Sequence, residues 1–394
     1  MSQSFAKGEI KGALGSGDIT QDAWGVQKVS MPKSLFHGLW TFDIPAKMWF
    51  TYEAGTQVYT STACVSTNSA AVLTASAGKT PLVMESRRCP RYQPNRGHLF
   101  STALWCPSKT ADGVRDWGLR TTENGVYFRL KANGLLYAVL KSGGSETKEE
   151  VITTTGVSGF DVQKGNVYDI QYQWRGVGNY KFFINLVHVH TFSNLGTLTA
   201  LSMENPALPI SFTATRTTAD VAMHIGCADV TSENGMDEVE QYSSAQAAAV
   251  ATNGADVPVL VVLNPLTISG KTNTRTVVLH SVACNNTKKA TFKFWRTRTL
   301  ANITGATFVA NGNGSYVATD STDMNAGAVR ATAATVANME FIGAVFVEPA
   351  VRQVEQISSP GLVEVSLVRG DYLVVTTTCV NGASDVVLKW GEEI

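Results

Sequence analysis

The stretch IQYQWRGVGNYKFFI, residues 170–184, decides the fold class because it has the pattern of an antiparallel hairpin. Apolar side chains occupy every second position both before and after the glycines, and this period of two is typical of paired strands. A dinucleotide-binding loop needs a third glycine followed by a helix, and neither is present. We therefore predict a hairpin in which Gly176 and Gly178 provide the turn geometry and Trp174 faces the core.

The same alternation runs through most of the chain and predicts an all-β protein. Turn signals such as Asn-Gly recur about every 8 to 14 residues, which is the spacing of a β-sandwich or barrel. One window departs from this pattern. The segment GMDEVEQYSSAQAAAVATNGAD, residues 235–256, has an Ala-rich centre and an Asn-Gly stop, and it predicts a short helix or a linker.

This window divides the chain of 394 residues, which is long enough for two or three domains. The Gly- and Ser-rich residues 1–30 predict a flexible arm. Residues 31–234 then form the larger β-sandwich, residues 235–256 the connection, and residues 257–394 a second, smaller β-sandwich.

Composition excludes several classes of partner. The net charge is zero and only 16% of the residues are charged, below the roughly 25% of an average soluble protein. Without a basic stripe to neutralise phosphates, we expect no nucleic acid partner. The first residues lack the apolar core of a signal peptide, and no apolar run approaches the roughly 20 residues that span a bilayer. We therefore expect synthesis in a cytoplasm and no membrane insertion.

The spacing of cysteine and histidine predicts no metal site and no cofactor. The closest two of the six cysteines, Cys89 and Cys106, are 17 positions apart, whereas structural zinc sites contain close ligand pairs. We expect buried free thiols instead. His188 and His190 are two positions apart, so we predict that they share one strand face at a partly buried sheet edge, without a nearby carboxylate to complete a metal site.

No catalytic constellation is evident either. The acidic residues Asp116, Glu123, Asp161 and Asp169 show no E-x-D-x-x-E spacing that would place two carboxylates on one strand face for glycoside hydrolysis. No G-x-S-x-G elbow is present. We therefore predict no catalytic residues.

Aromatic side chains offer the remaining candidates for ligand contact, because flat rings stack on sugars. Most of them alternate with polar residues and are predicted to face the core. Trp117, in the polar segment ADGVRDWGLR, is the best candidate for a sugar or partner contact, followed by Trp105. Arg175 and Asn179, beside the hairpin turn, are candidates for contact with a partner.

Four further segments of the chain form one ordered set of motifs. They are RRCPRYQPNRGHLFSTALW (87–105), NGVYFRL (124–130), the hairpin and its flanks, and ENPALPISF (204–212). Together they resemble a family of virion structural proteins of tailed bacteriophages and large marine viruses. Members of that family carry an R-Y-x-P-G segment, an N-G-hydrophobic-F-R-L hairpin, an I-x-Y-x-W-x-G-V-G stretch and an L-P-hydrophobic-x-F ending. Asn95 departs from the pattern, since glycine tends to stand there in the family.

The resemblance implies a concanavalin A-like jelly-roll sandwich followed by a second, smaller β-sandwich. It also implies a non-enzymatic structural component of a bacteriophage virion, located on the tail, baseplate, collar or capsid surface. Its partners would be copies of itself and other virion proteins. Closed symmetric assembly, as a trimer or dimer, is the general expectation for such a protein. Two alternatives stay open: a carbohydrate-binding module that contacts a host-surface glycan, and a glycan-degrading enzyme with two carboxylates about 5 to 10 Å apart.

Overall fold

A computed structural model describes most of the chain, and the predicted arm at 1–30 and Asn95 lie outside it. The chain divides into two compact units, one of Met1–Ser86 with Tyr92–Met236 and the other of Arg87–Arg91 with Asp237–Ile394. We refer to them as the first and the second unit. The described residues are 32–58, 60–94, 96–109, 113–233, 240–303, 308–310, 318–320, 336–349, 353–356 and 366–393.

The described residues are almost entirely strands, so the all-β prediction is confirmed. No helix in this part of the chain is long and apolar enough to cross a membrane. The strands of the first unit are β1 (Pro32–Leu39), β2 (Trp49–Glu53), β3 (Thr56–Val58), β4 (Cys64–Thr67), β5 (Ala70–Ala75), β6 (Leu82–Ser86), β7 (His98–Trp105), β8 (Gly113–Arg120), β9 (Gly125–Leu130), β10 (Leu136–Ser142), β11 (Ser145–Val151), β12 (Asn166–Tyr172), β13 (Tyr180–Ile184), β14 (Val187–Phe192), β15 (Ile210–Arg216) and β16 (Val221–Glu233).

The second unit continues the strand numbering and adds two short 3₁₀ turns, Leu300–Asn302 and Val336–Asn338. Its strands are β17 (Glu240–Leu263), β18 (Thr267–Ile268), β19 (Lys271–Thr272), β20 (Val277–Asn286), β21 (Ala290–Thr297), β22 (Phe308–Ala310), β23 (Ala318–Asp320), β24 (Glu340–Val347), β25 (Gln353–Gln356), β26 (Ser366–Leu367) and β27 (Tyr372–Glu393).

The first unit is a sandwich of two antiparallel sheets. The first sheet has the order β14-β13-β12-β7-β16-β5-β4, with β1 paired to β16, and the second has the order β11-β10-β9-β8-β15-β6-β2-β3. Because side chains alternate along a strand, each sheet turns one face to the shared core. That core contains aromatic rings from both sheets in edge-to-face contact, such as Phe128 of β9 with Tyr168 of β12, whose centroids are 5.3 Å apart.

In the part of the chain that the structure describes, five tight hairpins of two residues set the strand register in both units. Both central residues of each turn have positive φ, which is the geometry of type I′ turns and matches the twist of paired strands. The turns are Ala54-Gly55, Asn68-Ser69, Gly143-Gly144, Asn185-Leu186 and Ser269-Gly270.

The predicted hairpin at 170–184 is confirmed, with β12 and β13 paired so that Tyr172 lies opposite Tyr180. Gly176 has a φ of +82°. A Cβ atom on Gly178 would lie 1.7 Å from the carbonyl oxygen of Gln173, so only glycine fits there. Trp174 packs against the edge of the core, half-buried, and its indole N–H donates to the carbonyl of Met203 at 2.9 Å.

The second unit is built around two long strands, and this corrects the prediction for residues 235–256. Residues 240–256 belong to strand β17, which pairs with β27 along nearly its whole length. The Asn-Gly pair that was interpreted as a helix stop lies where this pairing is irregular, with Gly254 opposite Cys379. Strand β27 contains a second Asn-Gly pair, at 381–382, close to the same irregularity.

Strand β27 takes a different partner on each side of this irregularity. Residues 372–378 pair with β21, whereas residues 384–392 pair with β20. Side chains from both halves meet in one apolar cluster that contains Phe292, Val375 and Trp390. Strand β27 therefore runs through both halves of the second unit and contributes side chains to the same core from each half.

The turn of the 170–184 hairpin provides a test of the fold. We expect Gly178→Ala to lower the free energy of unfolding of the first unit by roughly 2 kcal/mol or more, because the added methyl group meets backbone that cannot move away. Gly165→Ala is the matched control, since nothing lies within 4 Å of its Cβ position. Scanning calorimetry compares the two transition temperatures, and equal temperatures would contradict this account of the turn.

Candidate functional site

The outer side of the second sheet in the first unit carries a dense group of polar side chains. They come from four neighbouring strands, and the register places Asp116 of β8 opposite Arg129 of β9, and Arg129 opposite Tyr137 of β10. We call this group the polar face. It consists of Asp116, Arg120, Tyr127, Arg129, Lys131, Tyr137, Glu146 and Glu149.

Arg129 lies at the centre of the polar face and binds three carboxylates. Its Nε and Nη2 donate to the two oxygens of Asp116 at 2.8 and 3.1 Å. Nη2 and Nη1 also donate to the two oxygens of Glu146, each at 2.8 Å. Nη1 donates in addition to Glu149 at 3.0 Å. The planar guanidinium therefore ties β8, β9 and β11 together through paired, charge-assisted hydrogen bonds.

A β-bulge allows two carboxylates of β11 to reach the same guanidinium. Glu146 and Glu149 are three positions apart, so a regular strand would place them on opposite faces. The pairing of β10 with β11 shifts between Leu140 and Lys141, where Thr147 is an extra residue in β11. This extra residue shifts the alternation of side chains by one position, so that Glu146 and Glu149 lie on the same face. Both carboxylates therefore point to Arg129.

The pKa values of these groups follow from burial and from the hydrogen bonds. Burial acts to raise the pKa of the Glu146 carboxyl, but hydrogen bonds from Arg129 and Tyr127 outweigh it and hold the pKa below its ordinary value. The pKa of Glu149 is lowered in the same way, by Lys131 and Arg129. Burial lowers the pKa of Arg129, but the hydrogen bonds to Asp116 and Glu146 outweigh this, so the guanidinium stays charged.

Two tyrosines contribute aromatic surface to the polar face. Tyr127 is fully buried, with the Arg120 and Arg129 guanidinium groups 5.0 and 5.4 Å from its ring centroid. Tyr137 is only half-buried, and Nζ of Lys131 lies 4.4 Å from its ring centroid. Of the two rings, Tyr137 is therefore the one that a ligand can reach.

The solvent exposure of the side chains differs across the polar face. The Asp116 side chain is only 7% exposed, whereas Glu146, Lys131 and Glu149 are 36%, 33% and 27% exposed. Lys131 and Glu149 form an ion pair at 2.6 Å. The β11 side of the face thus presents exposed donors and acceptors, held in place by the more deeply buried Asp116 and Arg129.

The residues predicted as ligand contacts are not part of this group. The prediction for Trp117 is wrong: its ring is fully buried and packs on Phe128 and Tyr168 in the core. Trp105 is half-buried on the outer side of the first sheet, and its ring lies 5.0 Å from that of His224.

The two polar residues beside the hairpin turn also lie away from the polar face. The Arg175 side chain is exposed, and its backbone N–H donates to the Tyr92 hydroxyl. Asn179 is half-buried and accepts a hydrogen bond from the backbone N–H of Asn194 at 2.9 Å, which fixes the adjacent loop. Both positions stay predictions for partner contact.

The histidine prediction requires a correction, because His188 and His190 do not share a face. The pairing of β13 with β14 shifts between Phe182 and Phe183, so that His190 lies opposite Phe182 on the core side and His188 opposite Phe183 on the other. Among the residues that the structure describes, no group of three or more His, Cys, Asp or Glu is placed to hold a metal ion. All six cysteines are thiols rather than disulfides, and all but Cys227 are buried.

Comparison with solved structures covers about half of this chain and identifies a fold class. No family profile matches the sequence, and no curated protein matches it. Solved structures with a similar fold include endo-1,3-β-glucanases from Streptomyces sioyaensis (13% identity, TM-score 0.41, 52% of this chain and 97% of that one) and Thermotoga petrophila (12%, 0.38, 52% and 100%). A galectin from Caenorhabditis elegans is also similar (20%, 0.25, 38% and 90%).

At these identities the likeness shows the fold alone, and the predicted concanavalin A-like jelly roll is confirmed. Two other predictions are corrected. The solved structures with this fold are endo-1,3-β-glucanases and a galectin rather than virion components, so the expectations of a non-enzymatic virion component and of a chain that is not an enzyme are not upheld. At these identities the comparison assigns no activity to this chain in their place.

The ion pairs of the polar face predict an asymmetry in stability. We expect Asp116→Ala to destabilise the first unit by about 3 kcal/mol, because it removes the carboxylate that binds both Arg129 and Arg120 in a largely buried position. Glu348→Ala removes the exposed partner of Lys289 and should change stability by less than about 1 kcal/mol. Calorimetry of both variants tests this, and losses of equal size would contradict the central role of Asp116.

The half-buried histidines predict a loss of stability in mild acid. Burial lowers the pKa of His188, His190 and His224 in the folded chain. The unfolded chain therefore binds protons more readily, and stability that is present above about pH 6.5 is lost as the pH falls below it. The carboxyls with lowered pKa do not titrate in this range.

We expect the transition temperature of the wild type to fall between pH 7.5 and pH 5.5, and the fall to be smaller in His190→Gln. Calorimetry at the two pH values measures both. A variant that loses as many degrees as the wild type would show that His190 does not contribute.

Proposed function

We propose that the first unit binds glycans on its polar face. The observation that carries this proposal is the Lys131–Glu149 pair, exposed beside the accessible ring of Tyr137 and fixed from below by Arg129. Ligand sites in proteins combine a few precisely placed polar groups with apolar or aromatic surface. The polar face provides both within four adjacent strands.

The chemistry of the exposed groups suits sugar hydroxyls. Each hydroxyl both donates and accepts, so neighbouring hydroxyls are bound by a carboxylate that accepts and a cation that donates. Glu149 and Lys131 provide such a pair, and Glu146 adds a second acceptor. The ring of Tyr137 offers a flat surface to the C–H groups of a pyranose.

The charge balance favours a neutral glycan. The carboxylates of Asp116, Glu146 and Glu149 are matched by three cations, Arg120, Arg129 and Lys131, so that the face carries no large net field. A strongly anionic or cationic polysaccharide would gain little from it.

The hydrogen bonds within the face also lower the cost of binding. Glu146 is held by Arg129 and by the Tyr127 hydroxyl, and Glu149 is held by Arg129 and Lys131. Because these side chains are already ordered, binding costs less side-chain entropy than it would at a flexible surface.

Glycan hydrolysis is the second candidate, and the convergence of three carboxylates on Arg129 favours it. The lowered pKa values of Glu146 and Glu149 suit a nucleophile or a base rather than a proton donor. An assay for new reducing ends on each glycan that binds distinguishes hydrolysis from binding alone.

Binding is tested by calorimetric titration with a panel of neutral oligosaccharides, β-1,3-glucans among them. We expect Lys131→Ala and Glu149→Gln each to weaken the binding of any positive oligosaccharide about 10-fold, the effect of roughly one charge-assisted hydrogen bond. Lys289→Ala and Glu348→Gln are matched controls, because they alter a Lys–Glu pair in the second unit. Binding that is equally strong in all four variants would refute this site, and no binding across the panel would refute the proposed function.

A further inference from the structure

One cation on the outer side of the second sheet lies beside the polar face without belonging to its network. Lys141 of β10 is half-buried and follows Tyr137 by four residues, so both side chains lie on the same side of the strand. Its ammonium group forms no hydrogen bond or ion pair with the residues that the structure describes. Lys141 can therefore bind a ligand without breaking a contact of its own.

The two carboxylates that act on Lys141 are bound by other groups. Glu146 lies directly opposite Lys141 on β11, but its two oxygens accept hydrogen bonds from the two Nη atoms of Arg129. Glu123 accepts a hydrogen bond from the Thr122 hydroxyl at 2.6 Å. Neither forms an ion pair with Lys141, so the protein supplies this lysine with nearby negative charge but no bound partner.

A glycine separates Lys141 from a second cation. Gly125 of β9 lies between Arg120 of β8 and Lys141, in one row across three neighbouring strands. Neighbouring strands are about 4.8 Å apart, and the two cations therefore flank a position that has no side chain. Nη1 of Arg120 donates to Asp116, whereas its Nε and Nη2 form no hydrogen bond with the described residues. Both cations have N–H donors to spare beside Gly125.

The electrostatics of this row favour one added negative charge. Burial lowers the pKa of Lys141, and the nearby charge of Arg120 lowers it further. Glu146 and Glu123 act in the opposite direction without cancelling the shift. An anion between the two side chains would offset both the burial of the ammonium group and the repulsion from the guanidinium.

We propose that Lys141 and Arg120 bind the carboxylate of a uronic acid residue in the glycan. This inference rests on the proposed function, because the acidic residue belongs to the same chain whose neutral sugar contacts Tyr137. Lys141 lies about 13 Å along the strand from Tyr137, which separates the two contacts by more than one sugar ring. The ion pairs of the polar face favour a chain that is neutral over most of its length, so the ligand carries an isolated acidic sugar. A planar carboxylate suits the guanidinium better than a point charge does.

The proposal is tested by calorimetric titration of the full chain with linear β-1,3-gluco-oligosaccharides of one length. One is neutral, and in the others a single residue, at each position in turn, is oxidised at C6 to glucuronic acid. We expect one acidic isomer to bind the wild type about 10-fold more tightly than the neutral chain, the effect of roughly one charge-assisted hydrogen bond. Lys141→Met should abolish this preference, whereas Lys141→Arg, which keeps the charge, should retain it. Lys164→Met, at an exposed lysine of the same unit, is the matched control.

A second measurement reads the ammonium group directly. The Cε resonance of Lys141 is assigned by its absence from the carbon NMR spectrum of Lys141→Arg. We expect it to titrate at higher pH with the acidic isomer bound than with the neutral chain bound, because the carboxylate stabilises the charged form. The same titration with both ligands would contradict direct contact.

The outcomes separate this inference from the proposed function. Equal affinity of the wild type for the neutral chain and for every acidic isomer would overturn the Lys141 site and leave glycan binding intact. Binding of an acidic isomer alone, lost in Lys141→Met, would uphold the Lys141 site and refute the neutral-glycan proposal. Absence of binding by all of these oligosaccharides would refute both.

Discussion

The Arg129 guanidinium is the interaction on which the polar face depends. Its five N–H donors lie in one plane, and they bind carboxylates from strands on both sides of β9. One side chain thereby fixes the positions of Asp116, Glu146 and Glu149 relative to the sheet. A lysine could not replace it, because an ammonium group lacks the planar geometry that pairs with several carboxylates at once.

The two-residue period of the strand separates two different electrostatic environments. Arg115 and Asp116 are neighbours in the chain, yet one side chain enters the core and the other joins the polar face. Outside, every carboxylate of the face is bound by a cation, so the network is satisfied by the protein alone. Inside, the three guanidinium nitrogens of Arg115 have no hydrogen-bond partner among the described residues. The polar face therefore resembles a preorganised surface site.

Much of the fold was predictable from local patterns, because alternation and turn residues are encoded over short stretches. The 170–184 hairpin and the all-β class follow from such patterns. Residues 240–256 were not predictable in this way, since the Ala-rich segment becomes a strand through pairing with β27, more than a hundred residues away. Tertiary pairing outweighed local helix propensity there.

The candidate site was harder to predict, because it depends on β-bulges that have no recognisable pattern in the sequence. The bulge at Thr147 brings Glu146 and Glu149 to one face, and another bulge in β14 separates His188 from His190. In both places, simple alternation of side chains predicts the wrong face of the strand. Trp117 was misjudged for a different reason: its polar neighbours, Arg115 and Asp116, suggested exposure, although Arg115 itself is buried.

The function implied by the sequence resemblance differs from the function that we propose from the structure. Short motifs pointed to a virion component, whereas we propose that the polar face of the jelly roll binds glycans. The most direct measurement is a crystal structure of the chain with a bound neutral oligosaccharide. The account predicts a sugar ring against Tyr137 with hydroxyls bound to Lys131 and Glu149. An oligosaccharide bound elsewhere, with the Lys131–Glu149 pair intact and uncontacted, would contradict it.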